Sequence, residues 1–329
     1  MNAGCPPPLP AVKESLSFTG ATTGTVWAHD FGGSGQLLII VHAAGFCGGA
    51  YAELAGELLN RFRVVAVDLR GHGDSPAPAD RDFRWEGMAH DVLAVLTGLD
   101  LGPAALFGHS LGGAAGLRAA ALAPELITSG YVYEPALVPP RYSGGAAAGV
   151  AMGDRVRNRR AVFATRDEAM ARLAARPPFS TWSAGSLRAF GQHGLRPVDG
   201  PADRPNDGPS DGPNEGPNGG PVDGPSRGPN DGPVGGPVAL KCAPADEAEV
   251  YGTAHKIMVD QVAGVAVPVR VGVGQPPAGL PGVVAPLVCR ALPNARLSGH
   301  AGLGHMGPFE APERIAADLA DHFGAGSSG

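Results

Sequence analysis

Cysteine is scarce in this chain, and the four that occur (Cys5, Cys47, Cys242, Cys289) are widely separated. No C-x-x-C spacing and no paired histidines accompany them, which excludes the common zinc-binding patterns and a disulfide framework. Long apolar runs are also missing, and no charged segment followed by an apolar one opens the sequence. We therefore expect free thiols, a cytoplasmic location, no cofactor or metal, and no membrane association.

Charged residues are few as well, at 17% of the chain, and the formal net charge is −6. This sign argues against nucleic acid as a partner. Residues 199–238 contain seven acidic residues and two arginines, so five of the six negative charges lie there. The remainder is nearly neutral, and the net charge gives no information about a ligand or the oligomeric state.

Glycine and proline are abundant, with 51 and 33 residues. Much of this excess lies in residues 199–238, where a proline recurs at every fourth position from Pro201 to Pro237. Such a repeat has almost nothing to bury and lacks a backbone donor at each proline, so we expect it to be disordered. It is not collagen-like, because collagen needs glycine at every third position.

Apolar strand patterns alternate with helical patterns along most of the chain. Strands are predicted at residues 36–41, 63–68, 104–107, 127–133, 265–273 and 295–297, after a hairpin at 15–29. Helices are predicted at 50–59, 86–99, 111–123 and 311–323. This alternation predicts an α/β fold with a doubly wound, mostly parallel sheet.

Residues 139–261 do not continue the alternation of strands and helices. We interpret this segment as a small helical cap over the strand ends. Its predicted helices are 154–163, 167–175, 187–193 and 245–259, and Thr165 with Glu168 has the pattern of a capping box. The expected core is then 15–138 and 262–324, with the disordered repeat 199–238 inside the cap. Residues 1–14 and 325–329 are expected to be flexible tails.

The sequence G-H-S-L-G at residues 108–112 stands between a predicted strand and a predicted helix. Glycines two residues before and after a serine allow a sharp, strained turn that exposes the hydroxyl. The N–H groups at the start of the following helix favour an oxyanion. The pattern therefore predicts Ser110 as a catalytic nucleophile.

A nucleophilic serine needs a histidine base, and on this type of sheet the histidine comes last along the chain. His305 lies in a glycine-rich loop after the last predicted strand. His300 is the alternative, although it comes directly after that strand.

Taken together, the stretches 41–46, 68–75 and 108–113, and His305 with Pro308 and Glu310, resemble the α/β-hydrolase superfamily. The resemblance covers nearly the whole chain outside the repeat. It implies an oxyanion hole formed by the backbone N–H groups of Leu111 and Ala44, although residue 43 is alanine where the family usually has glycine. Phe46, His109 and Met306 are the expected lining of the substrate pocket.

The catalytic acid departs from the usual family pattern. Most members carry an aspartate after the strand predicted here at 265–273, but this chain continues G-Q-P-P at 274–277. Some members place the acid after the preceding strand, and the residue at that position is Glu134. The resemblance therefore implies Glu134 as the acid that orients His305.

A serine hydrolase acting on an ester, lactone or related acyl bond of a small molecule is the expected function. Carbon–carbon bond hydrolysis and cofactor-free perhydrolysis use the same residues and stay open as alternatives. A non-catalytic ligand-binding protein on this fold is a further alternative. The fold by itself does not choose among them.

Overall fold

The computed structural model describes residues 8–20, 24–139, 145–198, 236–253 and 255–324. Its centre is an eight-stranded sheet with the order β1-β2-β4-β3-β5-β6-β10-β11. The bounds are β1 Glu14–Gly20, β2 Gly24–Gly32, β3 Gln36–Val41, β4 Phe62–Asp68, β5 Ala104–His109, β6 Ile127–Tyr133, β10 Val269–Gln275 and β11 Ala295–Ala301. The three strands that lie between β6 and β10 along the chain form a separate small sheet.

The strands from β4 to β11 in this order pair in parallel, whereas β2 pairs antiparallel with both of its neighbours, β1 and β4. The central strands carry continuous apolar runs because helices cover both faces of the sheet. In β3, for example, every residue after Gln36 is buried. The predicted α/β class and mostly parallel sheet are thus confirmed.

Two hydrophobic clusters lie on opposite faces of the sheet. One contains side chains of α2 (Trp85–Leu99), α3 (Leu111–Leu122) and α8 (Gly279–Ala291). The other contains side chains of α1 (Ala52–Gly56) and α10 (Pro312–Gly324). The short helix α9 (Gly307–Glu310) adds Phe309 to the second cluster. Both sheet faces are thereby removed from water.

The cap contains α4 (Gly145–Arg157), α5 (Arg166–Ala174), α6 (Ala184–His193), α7 (Pro244–Gly252) and a three-stranded sheet of β7 (Val162–Phe163), β9 (Val238–Leu240) and β8 (Leu195–Pro197). The predicted helix 154–163 is wrong over most of its length, because α4 already ends at Arg157 and residues 162–163 pair with β9. The predicted helix 245–259 ends early, at Gly252. At the start of α5, Thr165 accepts a hydrogen bond from the Glu168 N–H, as the capping pattern predicts.

Helix α8 was missed in the sequence because prolines stand at positions 281 and 286, and an interior proline removes a helical hydrogen bond. The predicted strand 265–273 begins later, at Val269, since Val265 bonds back to Val262 in a turn. Within the described part of the chain, no helix is long and apolar enough to cross a membrane.

The predicted repeat lies almost wholly outside the described residues, which resume at Gly236. Its two ends are held side by side. Strands β8 and β9 pair antiparallel, with Pro197 opposite Val238, and the Val198 N–H donates to the Pro237 carbonyl at 3.0 Å. The repeat therefore begins and ends at one point on the cap.

Candidate active site

Ser110 lies in a turn between strand β5 and helix α3, with φ 53° and ψ −113°. A non-glycine residue in this region is strained, and such strain is found mainly at functional sites. Backbone hydrogen bonds hold the turn on both sides. The Ser110 N–H donates to the Tyr133 carbonyl at 3.0 Å, and the Ser110 carbonyl accepts from Ala136 at 2.9 Å.

The glycines on either side of Ser110 are required by close backbone contacts. A Cβ on Gly108 would lie 2.7 Å from the Gly112 carbonyl oxygen. A Cβ on Gly112 would lie 2.1 Å from the Val41 carbonyl oxygen. Both obstacles are backbone atoms that cannot move aside easily, so the spacing G-x-S-x-G has the steric cause that the sequence indicated.

Three predicted residues, distant in sequence, meet at the carboxyl ends of the strands. His305 Nε2 lies 3.1 Å from Ser110 Oγ, and His305 Nδ1 lies 2.7 Å from Glu134 Oε2. Because a carboxylate only accepts, His305 donates from Nδ1 and its Nε2 is free to accept the serine proton. The three side chains form one continuous hydrogen-bonded line.

Glu134 is 2% exposed and follows β6 with a φ of 42°. Its second carboxylate oxygen, Oε1, accepts a hydrogen bond from the Gly274 N–H at 2.9 Å. Gly274 lies near the end of β10, and a Cβ there would lie 2.3 Å from the Leu303 carbonyl oxygen. The strand end that usually carries the family's aspartate here supplies a backbone donor to the glutamate instead.

The alternative base, His300, lies elsewhere. Its Nε2 is 2.9 Å from the Tyr131 hydroxyl and 3.1 Å from Asp318 Oδ2. The ring is 6% exposed, and these partners fix it between β6 and α10. His305, not His300, is the histidine at Ser110.

The two predicted oxyanion donors follow neighbouring strands. Leu111 is the first residue of α3, where a helical N–H has no partner one turn earlier. Ala44 lies in the loop after β3, which pairs with β5 so that Val41 is opposite Gly108. The N–H group of the preceding residue, Ala43, donates to the Tyr51 hydroxyl at 3.1 Å.

The predicted pocket residues separate into two kinds. Phe46 and the half-buried Met306 belong to the second hydrophobic cluster, which also contains cap side chains such as Trp182. The ring of Phe46 lies 5.2 Å from Trp182 and 5.3 Å from Phe309. His109 is fully buried, and both of its ring nitrogens bond to protein groups, so it offers no polar atom to a substrate.

The loop that carries His305 is held by Tyr133 and Glu310, to which the sequence analysis gave no such role. Tyr133 donates its hydroxyl proton to the Gly304 carbonyl at 2.8 Å. Glu310 accepts from the Gly304 N–H at 2.7 Å and from the Thr181 hydroxyl of the cap at 2.8 Å. No sequence pattern marks a tyrosine hydroxyl for such a role, since its partner is a backbone atom far along the chain.

One group of side chains has the geometry for a metal ion among the residues the structure covers, namely His29, Asp68 and Asp74. Its carboxylates already have partners. Lys241 Nζ lies 2.6 Å from Asp74, and Asp68 accepts from His29 and from the Gly48 and Asp74 N–H groups. The arrangement holds the loop after β4 rather than leaving ligand positions open.

A strained serine after a central parallel strand, with a histidine and a carboxylate at the same sheet edge, defines the α/β-hydrolase class. A family profile described as alpha/beta hydrolase fold matches residues 36–203. The chain belongs to this family.

Curated relatives match only part of their length. The chain is 37% identical over 95 residues to the magnesium-chelatase 30 kDa subunit of Rhodobacter capsulatus, covering 29% of this chain and 34% of that protein. It is 37% identical over 103 residues to protein phosphatase methylesterase 1 of Mus musculus, covering 29% and 27%. The chain thus spans about a third or less of these relatives.

Solved structures match over nearly the whole chain at low identity. The crystal structure of E-2-(acetamidomethylene)succinate hydrolase superposes with a TM-score of 0.69 and 22% identity, covering 94% of this chain and 99% of that one. A likeness at this identity shows the fold alone.

Proposed function

We propose that this protein is a serine hydrolase that cleaves an ester, lactone or related acyl bond of a small organic molecule through an acyl-enzyme. The observation that carries the proposal is the line from Ser110 through His305 to Glu134, with contacts of 3.1 and 2.7 Å. These three groups supply a nucleophile, a base and an orienting carboxylate. Similarity to a methylesterase, although over a short segment, favours the same chemistry.

In the first half of the reaction, Ser110 Oγ attacks the acyl carbon while His305 Nε2 takes the hydroxyl proton. Glu134 accepts from Nδ1–H and stabilises the imidazolium that forms. The N–H groups of Leu111 and Ala44 donate hydrogen bonds to the developing oxyanion. These hydrogen bonds strengthen as negative charge accumulates in the tetrahedral intermediate. His305 then gives its proton to the leaving oxygen, and the acyl group stays on Ser110.

In the second half, a water molecule attacks the acyl carbon of the acyl-enzyme while His305 Nε2 takes a proton from that water molecule. The intermediate collapses, the acid product leaves and Ser110 regains its proton. The neutral His305 tautomer needed for both halves is the one that the Glu134 contact selects, because the carboxylate requires the proton on Nδ1.

Ser110→Ala tests this proposal. We expect turnover of p-nitrophenyl esters and of lactones of graded length to fall by a factor on the order of 10⁴ or more, since only residual oxyanion stabilisation would remain. Far-ultraviolet circular dichroism should be unchanged. Ser17→Ala, an exposed serine on β1, is the matched control and should keep wild-type turnover.

A fluorophosphonate probe distinguishes the enzyme from a binding protein. Labelling of Ser110 in the folded wild type, located by peptide mass spectrometry, supports the proposal. Near-normal turnover of the Ser110→Ala variant contradicts the mechanism. Absence of both labelling and turnover in folded wild type would point to a ligand-binding protein instead.

A further inference from the structure

Two buried aromatic side chains, Tyr51 and His109, form a hydrogen-bonded bridge beneath the candidate site. Tyr51 is 1% exposed and His109 is fully buried. The Tyr51 hydroxyl lies 3.1 Å from the Ala43 nitrogen and 2.7 Å from His109 Nδ1. His109 Nε2 lies 2.8 Å from the backbone carbonyl oxygen of His305.

The proton positions in this bridge follow from its two ends. The His305 carbonyl can only accept, so His109 carries its proton on Nε2 and its Nδ1 is an acceptor. Tyr51 therefore donates its hydroxyl proton to Nδ1, and its oxygen accepts from the Ala43 N–H. Every donor faces an acceptor, so the bridge runs in one direction from Ala43 to His305.

Burial keeps the bridge neutral. Desolvation, with the neighbouring His305 as a smaller cause, holds the pKa of His109 well below its ordinary value. Desolvation also holds the pKa of Tyr51 well above its ordinary value. A charge on either group would break the donor–acceptor match, and burial opposes both charges.

The three positions joined by the bridge each belong to a different part of the candidate machinery. Ala43 directly precedes the predicted oxyanion donor Ala44, and His109 directly precedes Ser110. The third position is His305 itself, held through its own backbone. Each of these three positions lies at or after the end of a different strand. Pairing between the strands therefore does not by itself fix how the three loops are positioned relative to one another.

We propose that Tyr51 and His109 are positioning residues that align the oxyanion loop, the serine turn and the histidine loop with one another. This inference rests on the proposed function, because it assumes that these loops carry the reaction. A displacement of about 1 Å between reacting groups can lower a rate 10²-fold, so one lost bond in the bridge is enough to be measured.

Packing is the competing explanation, since the Tyr51 ring also lies 4.5 Å from the Phe309 ring. Tyr51→Phe separates the two, because it keeps the ring and removes only the hydroxyl. We expect kcat for a p-nitrophenyl ester and the rate of fluorophosphonate labelling to fall about 10- to 100-fold. KM should stay within about twofold, because the substrate-binding surface is not changed.

His109 provides a second, independent series. His109→Gln places an amide N–H near the position of Nε2 and can still donate to the His305 carbonyl, whereas His109→Leu cannot. We expect the glutamine variant to retain several-fold more labelling rate than the leucine variant. A role in packing alone would not favour glutamine over leucine in a buried site.

Tyr131→Phe is the matched control. Tyr131 is as buried as Tyr51, but its hydroxyl bonds to His300 and Asp318, and neither of these residues lies in the three loops. It should lose thermal stability while its kcat and labelling rate stay near wild type. If Tyr51→Phe and His109→Leu both behave as this control does, while Ser110→Ala is inactive, the bridge only packs the core and the inference is overturned. An active Ser110→Ala variant would instead refute the proposed function.

Discussion

At the scale of single residues, two members of the candidate triad have left-handed backbone conformations. Ser110 has φ 53° and Glu134 has φ 42°. Each is held by a neighbouring strand, since the Ser110 N–H bonds to Tyr133 and the Glu134 N–H bonds to Gly272 at 2.9 Å. Strain of this kind costs about 1–3 kcal/mol per residue and persists only where the surroundings enforce it. Here the parallel strands enforce it at both positions.

Glu134→Gln tests the acid. The amide keeps the shape but supplies no charge to stabilise a protonated His305, so turnover should fall by up to about 10⁴-fold with little change in KM. Steady-state kinetics on the best p-nitrophenyl ester measures the effect. Glu249→Gln, an exposed member of a surface pair with Arg157, is the control and should be unaffected. Retention of more than half of wild-type turnover would mean that another carboxylate orients His305.

His29 is expected to make the stability of the fold depend on pH. Burial opposes its charge, but the Asp68 carboxylate at 2.9 Å outweighs this, and the pKa of His29 is raised above 6.5. Asp74 also raises it, Lys241 opposes it, and the His193 ring lies 5.9 Å away. A raised pKa means that protonated His29 stabilises the fold, fully below pH 6.5 and progressively less as the pH rises through the folded-state pKa.

We therefore expect the difference in unfolding free energy between wild type and His29→Gln to be larger at pH 6 than at pH 9. Urea unfolding at a series of pH values measures it, and each pair is compared at one pH so that other groups largely cancel. A difference that is constant with pH would show that the His29–Asp68 contact acts without the histidine charge.

At the scale of elements, the cap is attached to the core through the segment between α5 and α6 and through the first turn of α6. The Trp182 ring stacks on Phe309 of α9 with centroids 3.9 Å apart and 13° between the planes. The Ser183 N–H donates to the Phe309 carbonyl at 2.9 Å, and Ser186 donates to Glu53 of α1 at 2.9 Å. Because α9 directly follows His305, cap attachment and the histidine loop share one short helix.

Trp182→Ala should destabilise the protein by about 3–5 kcal/mol, the usual loss for removing a large buried aromatic side chain. Trp182 is only 6% exposed, so almost all of its ring is in contact with other groups. Urea unfolding measures the loss. Val283→Ala, at a position that is 60% exposed on α8, should change stability by less than about 0.5 kcal/mol. Equal effects of the two substitutions would contradict the anchoring role of Trp182.

At the scale of the whole molecule, the repeat is an insertion between two residues that already touch. Excision of Pro201–Gly236 leaves Asp199 and Gly200 between Val198 and Pro237, whose backbones are hydrogen-bonded at 3.0 Å. Asp-Gly is a favoured two-residue hairpin turn. The connection shortens from residues 199–236 to two residues, and the entropic cost of closing a loop falls by roughly 2 kcal/mol for each tenfold reduction in length. We expect equal or slightly higher stability and unchanged turnover.

The excised segment carries six acidic residues and two arginines, so the formal net charge changes from −6 to −2. Earlier elution from an anion exchanger verifies the product. The same excision with Gly200→Val is the control, because valine disfavours the positive φ that this turn needs, and it should be less stable. A large loss of turnover after the plain excision would mean that the repeat contacts the substrate or a partner.

The sequence by itself determined the class of fold and most of the sheet. Strands 36–41 and 127–133 were predicted at the bounds that the structure has, because a short β-branched run between turns has few other stable conformations. Ser110 and His305 were also predicted, since local glycine spacing and chain order mark them. Short-range sterics act within a few residues, and they are therefore visible in a linear pattern.

The family resemblance also implied the contact between Glu134 and His305, but only the tertiary structure decided how that contact is made and which other groups support it. Glu134 reaches His305 because β6 and β10 pair with Tyr133 opposite Gly272, which brings the Gly274 N–H to the carboxylate. Tyr51, His109, Tyr133 and Glu310 support the three loops through partners far away along the chain. Such contacts depend on strand order and register, and these are set by packing of the whole sheet, which no local pattern specifies.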